Sequence, residues 1–170
     1  LYPGQAASFY YHGVALFLHN DFVNAEKEIK LALDIAFDDK EIQGQSWRFL
    51  ARIYHNSNSF QKSENAFNKS ILILPNNMAT VYDDAFSLIS NGSNLDKASS
   101  LIKEVLNQHP DNIKFRTING FLLYKQAKYN LADKELNFAI HTSGSEIPET
   151  LEKYGDVQFK LNNIDKAVLY

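Results

Sequence analysis

Residues 47–75 read WRFLARIYHNSNSFQKSENAFNKSILILP, and this stretch decides the fold. Large apolar residues at Trp47, Leu50 and Tyr54 recur at helical spacing, with the small residue Ala51 among them. After a polar bend at Asn58-Ser59 a second helical pattern begins, with Phe67 flanked by the small residues Ser63 and Ser70. Pro75 then ends it, since proline cannot continue a helix. Two antiparallel helices approach closely only where neither carries a bulky side chain, so the small residues mark a crossing point. The stretch is a helical hairpin.

The same marks recur along the chain. Small residues stand in a first helix at Gly13, Ala51, Ala85, Gly120 and Gly155. A second small residue follows at Ala25, Ser63, Ala98, Ala132 and Ala167, and a third slot holds Ala32, Ser70, Val105 and Ala139. Breaker slots fall at Pro3, Phe37, Pro75, Pro110 and Gly144, close to one period apart. Bends lie at Asn20-Asp21, Asn58-Ser59, Asn91-Gly92 and Asn162-Asn163, residues that tolerate a left-handed backbone. Asn76-Asn77 and Asp111-Asn112 follow the two prolines and supply N-caps for the next helix.

The pattern resembles the tetratricopeptide repeat, in which W-x2-L-G-x2-Y is followed by A-x3-F, a further A and a late P. Trp47, Leu50, Ala51, Tyr54, Ser63, Phe67, Ser70 and Pro75 fill those slots in order, and Tyr154 to Ala167 form another close copy. The resemblance implies an all-α fold, an α-solenoid of antiparallel hairpins in a right-handed superhelix. It predicts one array over 1–170: the end of a preceding repeat at 1–5, repeats at about 6–39, 44–77, 78–112 and 113–146, and a partial repeat at 147–170. Four additional residues near Asp38 to Glu41 are expected to lengthen a helix or the inter-repeat loop. Asp84 stands where the family is usually apolar, which predicts the third hairpin to be the weakest. The opening Leu1-Tyr2-Pro3-Gly4 and the close at Tyr170 within a helical pattern read as the interior of a longer array. The phrases at 1–5 and 154–161 are similar to bacterial envelope repeat proteins and lipoproteins, which favours the periplasmic side of the envelope over the cytoplasm.

In the family the first helices line a concave groove that takes a peptide or protein segment. The matching positions here are Tyr10, Val14 and Phe17; Arg48, Arg52, His55 and Asn56; Tyr82, Phe86 and Ile89; Thr117, Phe121, Tyr124 and Lys125; and Glu152 and Asp156. One reading makes the aromatics anchors and lets Arg48 and Arg52 hold carboxylates or backbone carbonyls; such anchors are typically worth about 2 kcal/mol or more each. The other packs the aromatics between adjacent first helices and pairs the arginines with a groove carboxylate such as Asp83. The lysine–asparagine clamp of heat-shock co-chaperones is not matched, since Tyr10, Val14, Phe49, Arg52 and Ser90 fill its slots.

Bulk properties narrow the function further. A hydrophobic content of 45% suits a folded domain, and a formal charge of -3 argues against nucleic acid. No run approaches the roughly 20 apolar residues of a membrane span, so direct insertion by this segment is not expected. With no cysteine there is no thiolate site or disulfide. His12, His19, His55, His109 and His141 never fall at the spacing that puts two metal ligands on one helix face. Asp38-Asp39 and Asp83-Asp84 are adjacent and diverge on a helix, and no phosphate loop or nucleophile elbow occurs. No enzyme activity, cofactor or metal is expected. The expected role is a non-catalytic scaffold for a protein or peptide; the alternative is a structural spacer or substrate-recruiting segment serving an active domain elsewhere. An uncapped array also favours self-association through its terminal hairpins, with Phe159, Val168 and Leu169 as the contact.

Overall fold

The small residues lie at helix crossings. A computed structural model describes residues 4–143 and 147–170. Among the described residues there are ten helices: α1 (Gln5–Leu18), α2 (Phe22–Ile35), α3 (Lys40–Asn56), α4 (Phe60–Ile73), α5 (Met78–Asn91), α6 (Leu95–Gln108), α7 (Ile113–Lys125), α8 (Tyr129–Ser143), α9 (Pro148–Lys160) and α10 (Ile164–Leu169). They form two compact units, Leu1–Ser87 and Leu88–Tyr170. Pro3 and Gly144, two of the predicted breakers, lie outside the described residues.

In the first unit α1 packs against α2 and α3 against α4. A Cβ on Gly13 would sit 2.7 Å from two carbons of Ile29, so only glycine admits that crossing. At the next crossing Ser63 donates its hydroxyl to the Ala51 carbonyl at 2.8 Å, and Ser70 donates to the Gly44 carbonyl at 2.8 Å. The Ser70 and Thr80 hydroxyls lie 3.2 Å apart, tying α4 to the start of α5. These serines are buried, and hydrogen bonding to backbone carbonyls removes the penalty of burying their hydroxyls. Helix α3 has 17 residues against 14 in α1, so the additional residues go mainly into a helix, capped by Asp39 at 2.9 Å from the Ile42 amide.

The second unit repeats the design. A Cβ on Gly120 would lie 2.5 Å from two carbons of Leu136, where α7 crosses α8. Gly155 of α9 faces Ala167 and Tyr170 at the α10 end. Gln158, fully buried, donates its side-chain amide to Asp133 of α8 and accepts from Asn163 at 2.9 Å. The Tyr154 hydroxyl donates to Asn137 at 3.2 Å, and burial pushes its pKa up to about 12, with Asp133 acting in the same direction. Full burial of Ile29, Leu50, Ile53 and Phe67 in one unit, and of Phe115, Ile118, Leu122 and Leu136 in the other, stabilises by about 1.5–3 kcal/mol per side chain.

Four hairpin turns share one geometry. After α1 the amides of Asn20 and Asp21 donate to the carbonyls of Phe17 and Leu16, both at 3.0 Å. The same pair of bonds recurs at Asn58-Ser59, Ala127-Lys128 and Asn162-Asn163. In each, the first residue is left-handed, with φ of 60°, 55°, 57° and 64°. This arrangement satisfies the last carbonyls of the helix and reverses the chain in few residues. The turn after α5 is of the same length but different geometry, with both Gly92 and Asn94 left-handed. Asn77 and Asn112 cap α5 and α7 through the amides of Thr80 and Phe115, at 3.0 and 3.3 Å. Pro148 opens α9 in its first turn, where its missing N–H costs nothing.

Candidate partner-binding face

The first helices of the leading unit converge on a cluster of aromatic and cationic side chains. Tyr10 and Phe17 come from one face of α1, two turns apart, and Phe49 of α3 fits between them. Its ring centroid is 5.8 Å from Tyr10 and 5.7 Å from Phe17, both edge to face. All three are buried, at 9%, 8% and 7% exposure. They are consumed in packing α3 onto α1, with Val14 half-buried beside them. Burial raises the Tyr10 hydroxyl above its ordinary pKa, so that side chain is neutral near pH 7.

Arg48 and Arg52, four residues apart on α3, share the adjoining face. The Arg48 Nε donates to Asp83 Oδ2 of α5 at 2.7 Å, and its Nη1 donates to Gln45 at 3.3 Å. Arg52 Nε lies 3.8 Å from the same Asp83 oxygen, beyond hydrogen-bond reach. Its guanidinium carbon instead lies over both rings, 4.6 Å from the Phe17 centroid and 5.0 Å from that of Phe49. Burial, then the Arg48 charge, disfavours the Arg52 cation, and Asp83 partly offsets this. His55 follows one turn on, its Nδ1 2.8 Å from the Ser87 hydroxyl, and burial lowers its pKa from 6.5. Asn56 is exposed, its side-chain amide donating to the Arg52 carbonyl at 2.9 Å. On α5 the rings of Tyr82 and Phe86 stack in parallel, 6.3 Å between centroids, and both are half-buried.

The second unit presents a separate face on α7 and α9. Thr117 and Phe121 are buried, the Thr117 hydroxyl donating to the Ile113 carbonyl at 2.9 Å. Tyr124 is half-buried, and Lys125 and Glu152 are exposed. Lys153 rather than Glu152 reaches Tyr124, its ammonium 4.9 Å from the ring centroid and 2.6 Å from the Asp156 carboxylate. Lower on the unit, Arg116 makes two hydrogen bonds to Glu135, at 3.1 and 3.0 Å. At the far end Phe159, Val168 and Leu169 are exposed.

Sequence reasoning passed over Phe49, Gln45, Ser87 and Lys153 as parts of these faces. Asp83 was legible as a partner: it stands 35 residues after Arg48, one repeat on, in the corresponding first-helix slot. Phe49 carried the signal of an aromatic flanked by two arginines on one helix, which only the packing of α1 on α3 turns into a platform.

Antiparallel hairpins with small residues at each crossing and a shared left-handed turn define a tetratricopeptide-repeat protein, an α-solenoid by fold class. Residues 24–143 match the family described as cytochrome c-type biogenesis protein H TPR domain, and the chain belongs to that family. Among solved structures it is similar to a thermophilic TPR protein of Thermus thermophilus, with 14% identity, a TM-score of 0.79, and coverage of 96% of this chain and 87% of that one. It is similar to MamA of Desulfovibrio magneticus RS-1 at 12% identity and a TM-score of 0.77, over 98% of this chain and 91% of that one. YrrB, a TPR protein with an unusual peptide-binding site, is 13% identical with a TM-score of 0.67, over 96% and 81% of the two chains. At such identities the likeness is one of fold. No curated protein sequence matches the chain. Among the described residues no helix is long and apolar enough to cross a membrane.

Proposed function

We propose that the chain is a non-catalytic scaffold that binds a protein or peptide segment along its first helices, as part of a larger envelope-located protein. The observation that carries this reading is the α3 face. A partly open guanidinium lies on a rigid aromatic platform, bordered by the half-buried Val14, Tyr82 and Phe86. Rigid aromatic and arginine side chains are the usual interface anchors because little entropy is lost when they are covered. The family supports a protein partner, a structural neighbour's peptide-binding site supports a segment as ligand, and the family's link to cytochrome c biogenesis supports the envelope.

A spacer is the competing reading, and burial of Tyr10, Phe17, Thr117 and Phe121 favours it, because a side chain spent on intramolecular packing is not available to a partner. Affinity capture from the native source separates the two. The parent chain is compared with a first-helix variant, Val14→Ser with Arg52→Gln, and with an outer variant, Leu72→Ser with Phe37→Ser. Loss of a specific partner from the first-helix variant alone supports the scaffold. Retention by that variant and loss from the outer one moves the site, and capture of nothing by any form leaves the spacer.

A further inference from the structure

We propose that the guanidinium of Arg52, held against the rings of Phe17 and Phe49 and hydrogen-bonded to no acceptor among the described residues, receives an acidic side chain of the bound polypeptide; this rests on the first-helix face being the binding face. The chain has three arginines, and they are not equivalent. Arg48 is hydrogen-bonded to Asp83 and Gln45, and Arg116 is held by both oxygens of Glu135. Among the described residues the Arg52 guanidinium has no hydrogen-bonded acceptor; its nearest carboxylate oxygen is 3.8 Å away and already taken by Arg48. Two cations therefore share one carboxylate, on a chain whose overall charge is negative.

The geometry suits a receptor more than a strut. Contact with two aromatic rings, which are themselves edge to face, holds the guanidinium in place, and among the described residues none of its N–H groups is hydrogen-bonded. The side chain is 32% exposed against 18% for Arg48, so a ligand can reach it while water around it is already reduced. A carboxylate arriving there makes charge-assisted bonds in a partly desolvated place without having to order the arginine first. Neighbouring charges do not supply the missing anion: Glu41 is exposed on the first turn of α3, about three turns before Arg52. A phosphoryl group would call for a second free cation, and Arg48 is committed to Asp83. A chain terminus would call for the multi-point clamp, of whose slots only Arg52 is cationic here, the others holding Tyr10, Val14, Phe49 and Ser90.

The test selects short peptides from a display library on the 170-residue chain. Winners are resynthesised with each acidic residue replaced by its amide, and separately with an amidated C-terminus, and binding is read by fluorescence anisotropy. One Glu→Gln or Asp→Asn replacement is expected to weaken binding about tenfold. Against an Arg52→Gln chain with an unchanged circular dichroism melt, acidic and amide peptides should bind alike. Should Arg52→Gln fold poorly, Arg52→Lys keeps the charge without the fork and is expected to bind the acidic peptide with intermediate affinity. Amide peptides that bind the parent as well as acidic ones would overturn the proposal, as would a loss unchanged by altering Arg52 or one that follows only C-terminal amidation. A library yielding no peptide for the parent chain would instead overturn the binding-face reading beneath it.

Discussion

Replacing Gly120 by alanine sets two known effects against each other. In a helix interior alanine is favoured over glycine by about 1 kcal/mol, so propensity alone predicts stabilisation. The crossing predicts the reverse. The added Cβ would sit 2.5 Å from both Cγ and Cδ2 of Leu136, against a normal carbon–carbon contact of about 3.5–4.0 Å. Leu136 is fully buried, and Cγ is not a free end that can swing aside. Overpacking of this kind costs typically 1–3 kcal/mol. Since α7 and α8 must separate by roughly 1 Å to accept the methyl, we take the upper half of that range. The net expectation is a loss of about 1–2 kcal/mol, or a fall in melting temperature of about 2–8 °C for a chain of this size. Urea and thermal unfolding followed by helical circular dichroism measure it. A Leu136→Ala change in the Gly120→Ala background should cost at least about 1 kcal/mol less than in the parent, because it removes the atoms in conflict. Gly155→Ala is the contrast: its Cβ would meet nothing closer than 3.3 Å, so a mild contact works against the helix preference for alanine and the net effect should stay within about 1 kcal/mol. A Gly120→Ala chain that melts higher than the parent would refute the close crossing.

Two further outcomes follow from other parts of the fold. Ala127 occupies the left-handed turn position that asparagine fills in three other hairpins, and this conformation costs an ordinary residue about 1–2 kcal/mol; Ala127→Asn should raise the melting temperature of the second unit by about 2 °C, and a fall would contradict the turn assignment. His55 has a pKa lowered by burial, so as pH drops through 6.5 the unfolded chain takes up a proton that the folded chain does not. Stability contributed by this group is therefore fully present above pH 6.5 and lost on acidification. The slope of melting temperature against pH between about 5 and 7 should flatten in His55→Gln, and an unchanged slope would exclude His55 as its source.

Much of this fold was legible because its determinants are local or periodic. The crossings needed only the spacing of Gly13, Ala25 and Ala32 and of their counterparts, and asparagine at Asn20, Asn58 and Asn162 announced left-handed turns. The fourth turn was not legible, since nothing about alanine suggests a positive φ; Ala127 is held there by the two bonds that its turn shares with the others. The candidate site was legible by slot and not by state. Helical spacing put Tyr10, Phe17 and Phe121 on the first-helix face, but whether a neighbouring helix covers that face depends on packing between repeats. Likewise Arg48 and Arg52 look equivalent four residues apart. Only the placement of the single Asp83 carboxylate shows that one is bound and the other open.

The central claim, that the first helices carry a protein or peptide partner, is tested most directly by site-specific photo-crosslinking. A photoreactive amino acid replaces Val14, Asn56 or Lys125 on the first helices, or Phe37, Leu72 or Leu131 outside them, and each chain is irradiated with its captured partner. The account predicts crosslinks from the first set and none from the second. Crosslinks confined to Phe37, Leu72 and Leu131 would contradict it and place the partner on the second helices and the loop after α2.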